Sequence, residues 1–310
     1  MIILQDNFKM KLKYNTFIAL GSFDGLHKGH MTLINKVLKL SKSNNNSKSM
    51  VNTFGNHPLT IIDKTKVPKL IMDNDTKAEI LDELGIDLVN FALFNQEIMK
   101  MSPEDFVTSM IKCYNPVGIV VGFNYRFGNK NLGDVELLKK FSEIYNFKLY
   151  VINPIEYNDN VISSTRIRTA ISEGKIEDVN HMLLKPYMLK GKVMYGKRLG
   201  RTIGFPTANL DYNKDFVIPK GGVYYTLVKY ENKVYKGITN IGTNPTVGEN
   251  ELTIETHILN FDDNIYNKNI KVYFIDRIRE EKKFNSLEEL KKQLERDKKF
   301  ADLRNIEIKL

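Results

Sequence analysis

The chain has 310 residues, 42% of them hydrophobic, a formal charge of +9 and a single cysteine. That length exceeds what one hydrophobic core ordinarily supports and predicts two domains, while one cysteine excludes an intrachain disulfide or a Cys/His zinc cluster and leaves oxygen ligands for any metal. No apolar run approaches the roughly 20 residues that cross a bilayer, and the first thirty residues lack the pattern of a secretory leader, so a soluble, cytoplasmic protein with no membrane partner is expected.

Through residue 152, short β-type runs alternate with helix-period stretches. The strand candidates are Phe17–Leu20, Met50–Phe54, Leu88–Leu93, Val117–Val121 and Lys148–Ile152; the helix candidates are Gly29–Leu40, Asp75–Leu84, Pro103–Cys113 and Gly133–Tyr145. This alternation predicts a parallel sheet with helices on its faces. Ser102 followed by Pro103 reads as an N-cap with proline at the first helical position. The polar stretch Ser41–Ser49 reads as a solvated loop.

In an open parallel sheet, ligands bind beyond the carboxyl ends of the strands. "GSFDGLHKGH" (Gly21–His30) is such a strand-to-helix turn. Gly21 and Gly25 allow close backbone approach to a nucleotide, and a helix opening near Gly29 points free N–H groups at phosphate. His27 and His30 can face the same phosphate, although a His-x-x-His pair alone equally serves as a cap or a surface feature. Two further stretches suit the same task. "GFNYRFGNKNLGD" (Gly122–Asp134) leaves the same sheet edge with aromatic rings able to stack a flat ligand and Asn124 able to bond one. "ISSTRIR" (Ile162–Arg168) sets Ser163, Ser164 and Thr165 at a helix start with Arg166 and Arg168 close behind, a second anion site.

After about Leu184 the texture changes. Strand-like runs at Tyr187–Tyr195, Val223–Tyr230, Val234–Ile241, Leu252–Leu259 and Ile270–Ile278 are separated by Gly, Asn and Asp turns, and Leu287–Phe300 has helical period. The pattern predicts an antiparallel barrel closed by a terminal helix, with the boundary at Lys185–Pro186. Residues 1–183 carry a net charge of +2 and residues 184–310 one of +7. The lysines are spread without aromatic interleaving, so a solvated surface is expected and no nucleic-acid partner.

"GKVMYGKRLGRTIGFPTANL" (Gly191–Leu210) contains a cationic glycine loop, Gly196 to Arg201, of the kind that wraps a polyphosphate. Thr207 and Asn209 stand at strand spacing on one face, as two oxygen ligands for magnesium would. Glu255 interrupts the β-branched run "TIETHIL", so it is either an outward carboxylate or one placed in a site.

"GSFDGLHKGH", "TFGNHPL", "GFNYRFGNKNLGD" and "ISSTRIR" resemble, in order and spacing, the four signatures of the adenylyltransferase module of the prokaryotic bifunctional riboflavin kinase/FAD synthetase family. Gly191–Leu210 resembles its flavokinase signature. The resemblance implies a Rossmann-like nucleotidyltransferase sheet over 1–184 and a six-stranded antiparallel kinase barrel with a terminal helix over 185–310. It implies phosphorylation of riboflavin by ATP to FMN, then adenylylation of FMN by ATP to FAD, both with Mg²⁺. Gly21, Phe23, Asp24, Gly25, His27 and His30 would bind ATP, with the histidines stabilising the α-phosphate. Ser163, Ser164, Thr165 and Arg168 would hold the leaving pyrophosphate, and Phe54, His57 and Asn124 the FMN. In the kinase, Gly196, Lys197, Arg198, Gly200, Arg201 and Asn240 would bind ATP, Thr207 and Asn209 the metal and phosphates, and Glu255 would be the base. Arg279 would order the flavin-side loop, and flavin-dependent apoproteins would be the acceptors of FAD. Two positions depart from the family's usual letters: Asn56 stands for a proline, and Asn124 for a frequent aspartate.

Overall fold

The computed structural model describes residues 1–196, 199–243 and 252–304, with backbone alone at Leu199 and Arg201. The chain divides into two compact units, Met1–Ser164 and Thr165–Leu310.

The first unit begins with β1 (Ile2–Leu4), β2 (Asn15–Leu20), α1 (Lys28–Lys42), β3 (Ser47–Phe54), the single turn α2 (Leu59–Ile62), α3 (Asn74–Glu83) and β4 (Leu88–Ala92). It continues with α4 (Gln96–Lys100), α5 (Pro103–Tyr114), β5 (Pro116–Gly122), α6 (Val135–Ile144), β6 (Lys148–Ile152) and the small hairpin β7 (Glu156–Tyr157) and β8 (Asn160–Val161). Six strands form one parallel sheet in the order β1-β4-β3-β2-β5-β6. Alternate residues of each strand face opposite layers. On β2, Ile18 and Leu20 pack with Phe106, Met110 and Leu138 of α5 and α6, whereas Phe17 and Ala19 pack with Ile34, Val37 and Leu81 of α1 and α3. From β2 the chain builds outward through β3 and β4, then returns to place β5 on the other side of β2. The strand order therefore reverses between β2 and β5, which opens a crevice beyond their carboxyl ends.

Ser102 caps α5 as the sequence predicts, its Oγ accepting from Asp105 N at 3.0 Å ahead of Pro103. Ser41–Ser49 departs from expectation: Ser41 and Lys42 end α1 and Ser47–Ser49 begin β3, leaving only residues 43–46 to turn. Ser49 serves the sheet, its Oγ donating to Asp87 at 2.8 Å just ahead of β4.

The second unit opens with α7, which starts at the junction (Ser164–Ser172), then α8 (Ile176–Met182). There follow β9 (Met188–Met194), the single turn α9 (Leu199–Thr202), β10 (Ala208–Tyr212), β11 (Gly222–Tyr230), β12 (Lys233–Thr243), β13 (Leu252–Ile258), β14 (Asn269–Arg279) and α10 (Leu287–Asp302). The six strands close into an antiparallel barrel, β10-β13-β12-β11-β14-β9 and back to β10. The sixth strand, β10, is the segment that carries Asn209. Inside, the buried hydroxyls of Thr226, Thr239 and Thr256 bond in a chain at 2.8 and 2.9 Å. Outside, Val223, Tyr225, Leu227 and Ile238 pack with Phe300 and Ala301 of α10.

The compact boundary lies earlier than Lys185–Pro186 because α7 and α8 are fastened to the barrel. Asn180 Nδ2 donates to the Phe274 carbonyl at 2.9 Å, and its Oδ1 accepts from Tyr187 N at 2.9 Å. Lys220 N donates to the Ile171 carbonyl at 3.3 Å.

Candidate active sites

The crevice of the first unit is a cavity of ≈ 650 Å³ bordered by the turn after β2, the ends of β3 and β5, and the segment leading to Ser164. Gly21, His27, His30, Phe54, His57, Asn124, Ser163 and Ser164 all line it, so the sequence-distant motifs converge on one space.

His27 is the N-cap of α1, with its Nδ1 accepting from His30 N at 3.3 Å. An accepting Nδ1 in a neutral ring puts the proton on Nε2, which leaves that nitrogen as a donor. The His27 and His30 rings stack with centroids 3.5 Å apart and 17° between planes. Burial holds both pKa values down: His27 falls to about 4, and His30 lies well below the usual imidazole range, where His27 and Lys77 add like charge. Both imidazoles are therefore neutral near pH 7 in the free protein.

The rest of the turn serves the fold. Phe23 is fully buried in the α1/α3 core and Leu26 beside it, both with positive φ, 48° and 42°. Gly25 has φ of 82°, and a Cβ there would stand 2.9 Å from Ile71 Cγ2. Asp24 Oδ1 accepts from Ile71 N at 3.3 Å, and the Asp24 carbonyl accepts from Ser164 Oγ at 3.0 Å. Phe23, Asp24 and Gly25 do not border the cavity. Thr165, Arg166 and Arg168 follow Ser164 on α7, in the second compact unit.

On the other wall, Phe54 and Phe94 meet edge to face at 5.2 Å, and His57 Nδ1 accepts from Leu59 N at 3.1 Å. Asn56 uses its whole amide: Oδ1 accepts from Phe94 N at 2.8 Å, while Nδ2 donates to the Phe94 carbonyl at 3.0 Å and to Thr60 Oγ1 at 2.9 Å. Hydrogen bonds to two neighbouring segments thus immobilise the position where the family has a rigid ring.

In the barrel, Asn209 pairs across the ladder with Glu255, and Glu255 with Asn240. Residues directly opposite in adjacent strands share a face. The three therefore form one polar row over β10, β13 and β12. Thr207 Oγ1 donates to Glu255 Oε2 at 3.2 Å. Thr207 and Asn209 also border a cavity of ≈ 300 Å³, together with Gly196, Thr256 and Tyr266. Gly196 lies flat on the Asn209 amide, where a Cβ would come within 2.2 Å of Nδ2. Gly200 is as confined, with a Cβ position 2.1 Å from the Phe205 carbonyl. Asn240 Nδ2 donates to Glu281 Oε1 at 3.3 Å. Arg279 holds Asp297 of α10 through Nε and Nη2 at 3.1 and 2.8 Å and reaches the Glu280 carbonyl with Nη1, so it ties the end of β14 to α10. Lys197, Arg198, the Arg201 side chain and residues 244–251 lie outside the described residues.

Two residues escaped the sequence reading. His257 lies two positions beyond Glu255 on the same face of β13, and its Nδ1 donates to the Pro206 carbonyl at 2.8 Å while its ring packs 5.1 Å from that of Phe205. Burial lowers its pKa, and the neutral form keeps its proton on Nδ1 because a carbonyl only accepts. It was legible in "TIETHIL", where period two puts it beside Glu255. Lys77 on α3, by contrast, reads as one more surface lysine and is buried.

The FAD synthetase family model matches residues 9–166 and the riboflavin kinase model residues 183–304. The chain is 35% identical over 285 residues to the bifunctional riboflavin kinase/FMN adenylyltransferase of Listeria monocytogenes, covering 91% of this chain and 90% of that protein. It is 34% identical over 290 residues to that of Bacillus subtilis, covering 92% and 90%. A crystal structure from Streptococcus pneumoniae, described as a macrolide-efflux protein, matches with a TM-score of 0.89 at 29% identity over 98% of this chain and 99% of that one. That likeness is of fold; among the described residues no helix is long and apolar enough to cross a membrane.

Proposed function

The chain belongs to the bifunctional riboflavin kinase/FMN adenylyltransferase family, and from that premise we propose which of its residues carry each reaction. The protein phosphorylates riboflavin with ATP to give FMN and ADP, and adenylylates FMN with ATP to give FAD and pyrophosphate. We assign adenylyl transfer to residues 1–184 and phosphoryl transfer to residues 185–310, in the cytoplasm.

In adenylyl transfer an FMN phosphate oxygen attacks the ATP α-phosphorus, and the bond from that phosphorus to the oxygen bridging the β-phosphate breaks. The nucleophile is already an anion, so the step needs alignment and charge stabilisation rather than a base. His27 and His30 stabilise the charge on the α-phosphate, with His27 donating from Nε2–H. Gly21 and Ser22 bring backbone to the nucleotide, with Phe23, Asp24 and Gly25 shaping the turn behind them; Ser163, Ser164, Thr165 and Arg168 hold the β- and γ-phosphates. Phe54, His57 and Asn124 hold the flavin end. The observation that carries this reading is the convergence of phosphate-side and flavin-side residues on one cavity.

The kinase step starts from a neutral ribityl hydroxyl and does need a base. Glu255 takes that proton as the oxygen attacks the γ-phosphorus and ADP leaves. Thr207 gives its own proton to Glu255, which turns its lone pairs toward the cavity it shares with Asn209. A hydroxyl and an amide carbonyl are hard oxygen donors that suit Mg²⁺, with the remaining ligands coming from phosphates and water. Bound there, the ion would neutralise phosphate charge. Gly196, Lys197, Arg198, Gly200, Arg201 and Asn240 surround the nucleotide, and Arg279 orders the flavin side. FAD passes to flavin-dependent apoproteins.

The test is a paired assay of the full chain with riboflavin, ATP and Mg²⁺, in which FMN and FAD are followed separately. Glu255→Ala is expected to abolish FMN formation and still convert supplied FMN to FAD; His27→Ala/His30→Ala is expected to do the reverse. A wild-type chain that makes no FAD from supplied FMN would overturn the N-terminal assignment.

A further inference from the structure

Lys77 is 4% exposed, an unusual place for an ammonium group, whose burial is costly without compensation. Its Nζ donates to the Ser22 carbonyl at 3.3 Å and lies 3.5 Å from Asn74 Oδ1. Asp24 and Asp73 offset the charge, and burial still lowers its pKa to about 8. The Ser22 carbonyl takes a second donor, the Thr53 hydroxyl of β3, at 2.9 Å. Ser22 and Thr53 both border the adenylyl-transfer cavity. In a trans peptide the C=O and the following N–H point in opposite directions. Drawing the Ser22 carbonyl toward Lys77 and Thr53 therefore fixes the orientation of the Ser22–Phe23 peptide at the rim where Ser22 borders the cavity. The same ammonium acts on His30, whose imidazole it helps to keep neutral.

We propose that Lys77 is a positioning residue for adenylyl transfer: with Thr53 it holds the Ser22–Phe23 peptide in the orientation that presents the turn to a nucleotide polyphosphate. The inference rests on the assignment of that cavity to adenylyl transfer. Lys77 touches no substrate; it acts through the turn, so its loss weakens turnover more than flavin binding.

The experiment uses the full chain with supplied FMN and ATP. Lys77→Met keeps the length and removes the charge; it is expected to lower kcat for FAD formation at least tenfold, with KM for FMN within twofold and riboflavin phosphorylation unchanged. Thr53→Val is expected to lower the same kcat severalfold, Thr53→Ser to restore it, and Lys77→Met/Thr53→Val to fall short of the product of the single effects, because both donors serve one carbonyl. The Thr53 pair decides the matter if Lys77→Met does not fold. A folded Lys77→Met or Thr53→Val chain with wild-type kcat overturns the proposal while leaving the reaction assignment intact. A wild-type chain that forms no FAD removes both, so the two failures are told apart.

Discussion

Asn56 makes three hydrogen bonds with one amide, two of them to the Phe94 backbone. At about 1 kcal/mol net for each, Asn56→Ala should cost the first unit roughly 2–3 kcal/mol and raise KM for FMN severalfold without altering riboflavin phosphorylation, as thermal melts and steady-state kinetics would report. The stacked histidines make a second expectation, in pH. Their imidazoles are depressed in the folded protein, His27 to about 4, whereas an unfolded imidazole titrates near 6.5. Between those values the unfolded chain binds more protons, so their contribution is complete above pH 6.5 and is lost as pH falls toward about 4. Melting of the first unit should drop between pH 7 and pH 5, and drop less in His27→Gln/His30→Gln. Single letters were only partly legible here. "GSFDGLHKGH" reads as a row of contacts, yet Phe23 and Leu26 turn into the core. A sequence shows no period in an irregular turn, and so does not reveal which side each residue takes.

Among the elements, α1 depends on His27 twice, as its cap and as a wall of the cavity. Asparagine is a good N-cap, so His27→Asn should hold the melting temperature near wild type while FAD synthesis collapses; His27→Ala should lose activity and about 1 kcal/mol as well. At the other end of the chain, α10 is pinned by Asp297, which is 2% exposed and held by Arg279. Removing Asp297 strips Arg279, itself a fifth exposed, of its charged partner, so Asp297→Ala should cost about 1.5–3 kcal/mol and abolish the kinase at a lower temperature than FAD synthesis. The long elements of the sheet and barrel were legible because burial on both faces gives a continuous apolar run and burial on one face gives a period. The strand β1 was not: three residues at a sheet edge, with Ile2 and Ile3 more than half exposed, carry no period. The stretch into β3 misled for the opposite reason, since Ser49 is polar yet buried in the strand and bonded to Asp87.

At the scale of the molecule, the change of texture near residue 185 marks where β begins rather than where the second unit begins. The helices α7 and α8 are amphipathic and short, and nothing in their letters says which neighbour buries Ile167, Ile171 and Val179. Their bonds to the barrel predict that a fragment beginning at Thr165 melts well above one beginning at Lys185, which calorimetry on the two would check. The closure of the barrel also sets an order in time. The cavity of the first unit has all its lining once the chain has been made as far as Ser164. In contrast β9, the first barrel strand to be synthesised, must find both β10 and β14, with Met188 pairing to Tyr273. Such distant pairing is slow because loop entropy is lost before any contact rewards it. During synthesis on the ribosome, the cavity that consumes FMN is therefore lined before the barrel that produces it can close, and a chain stalled once α7 is made would hold every residue assigned here to FAD synthesis without a source of FMN.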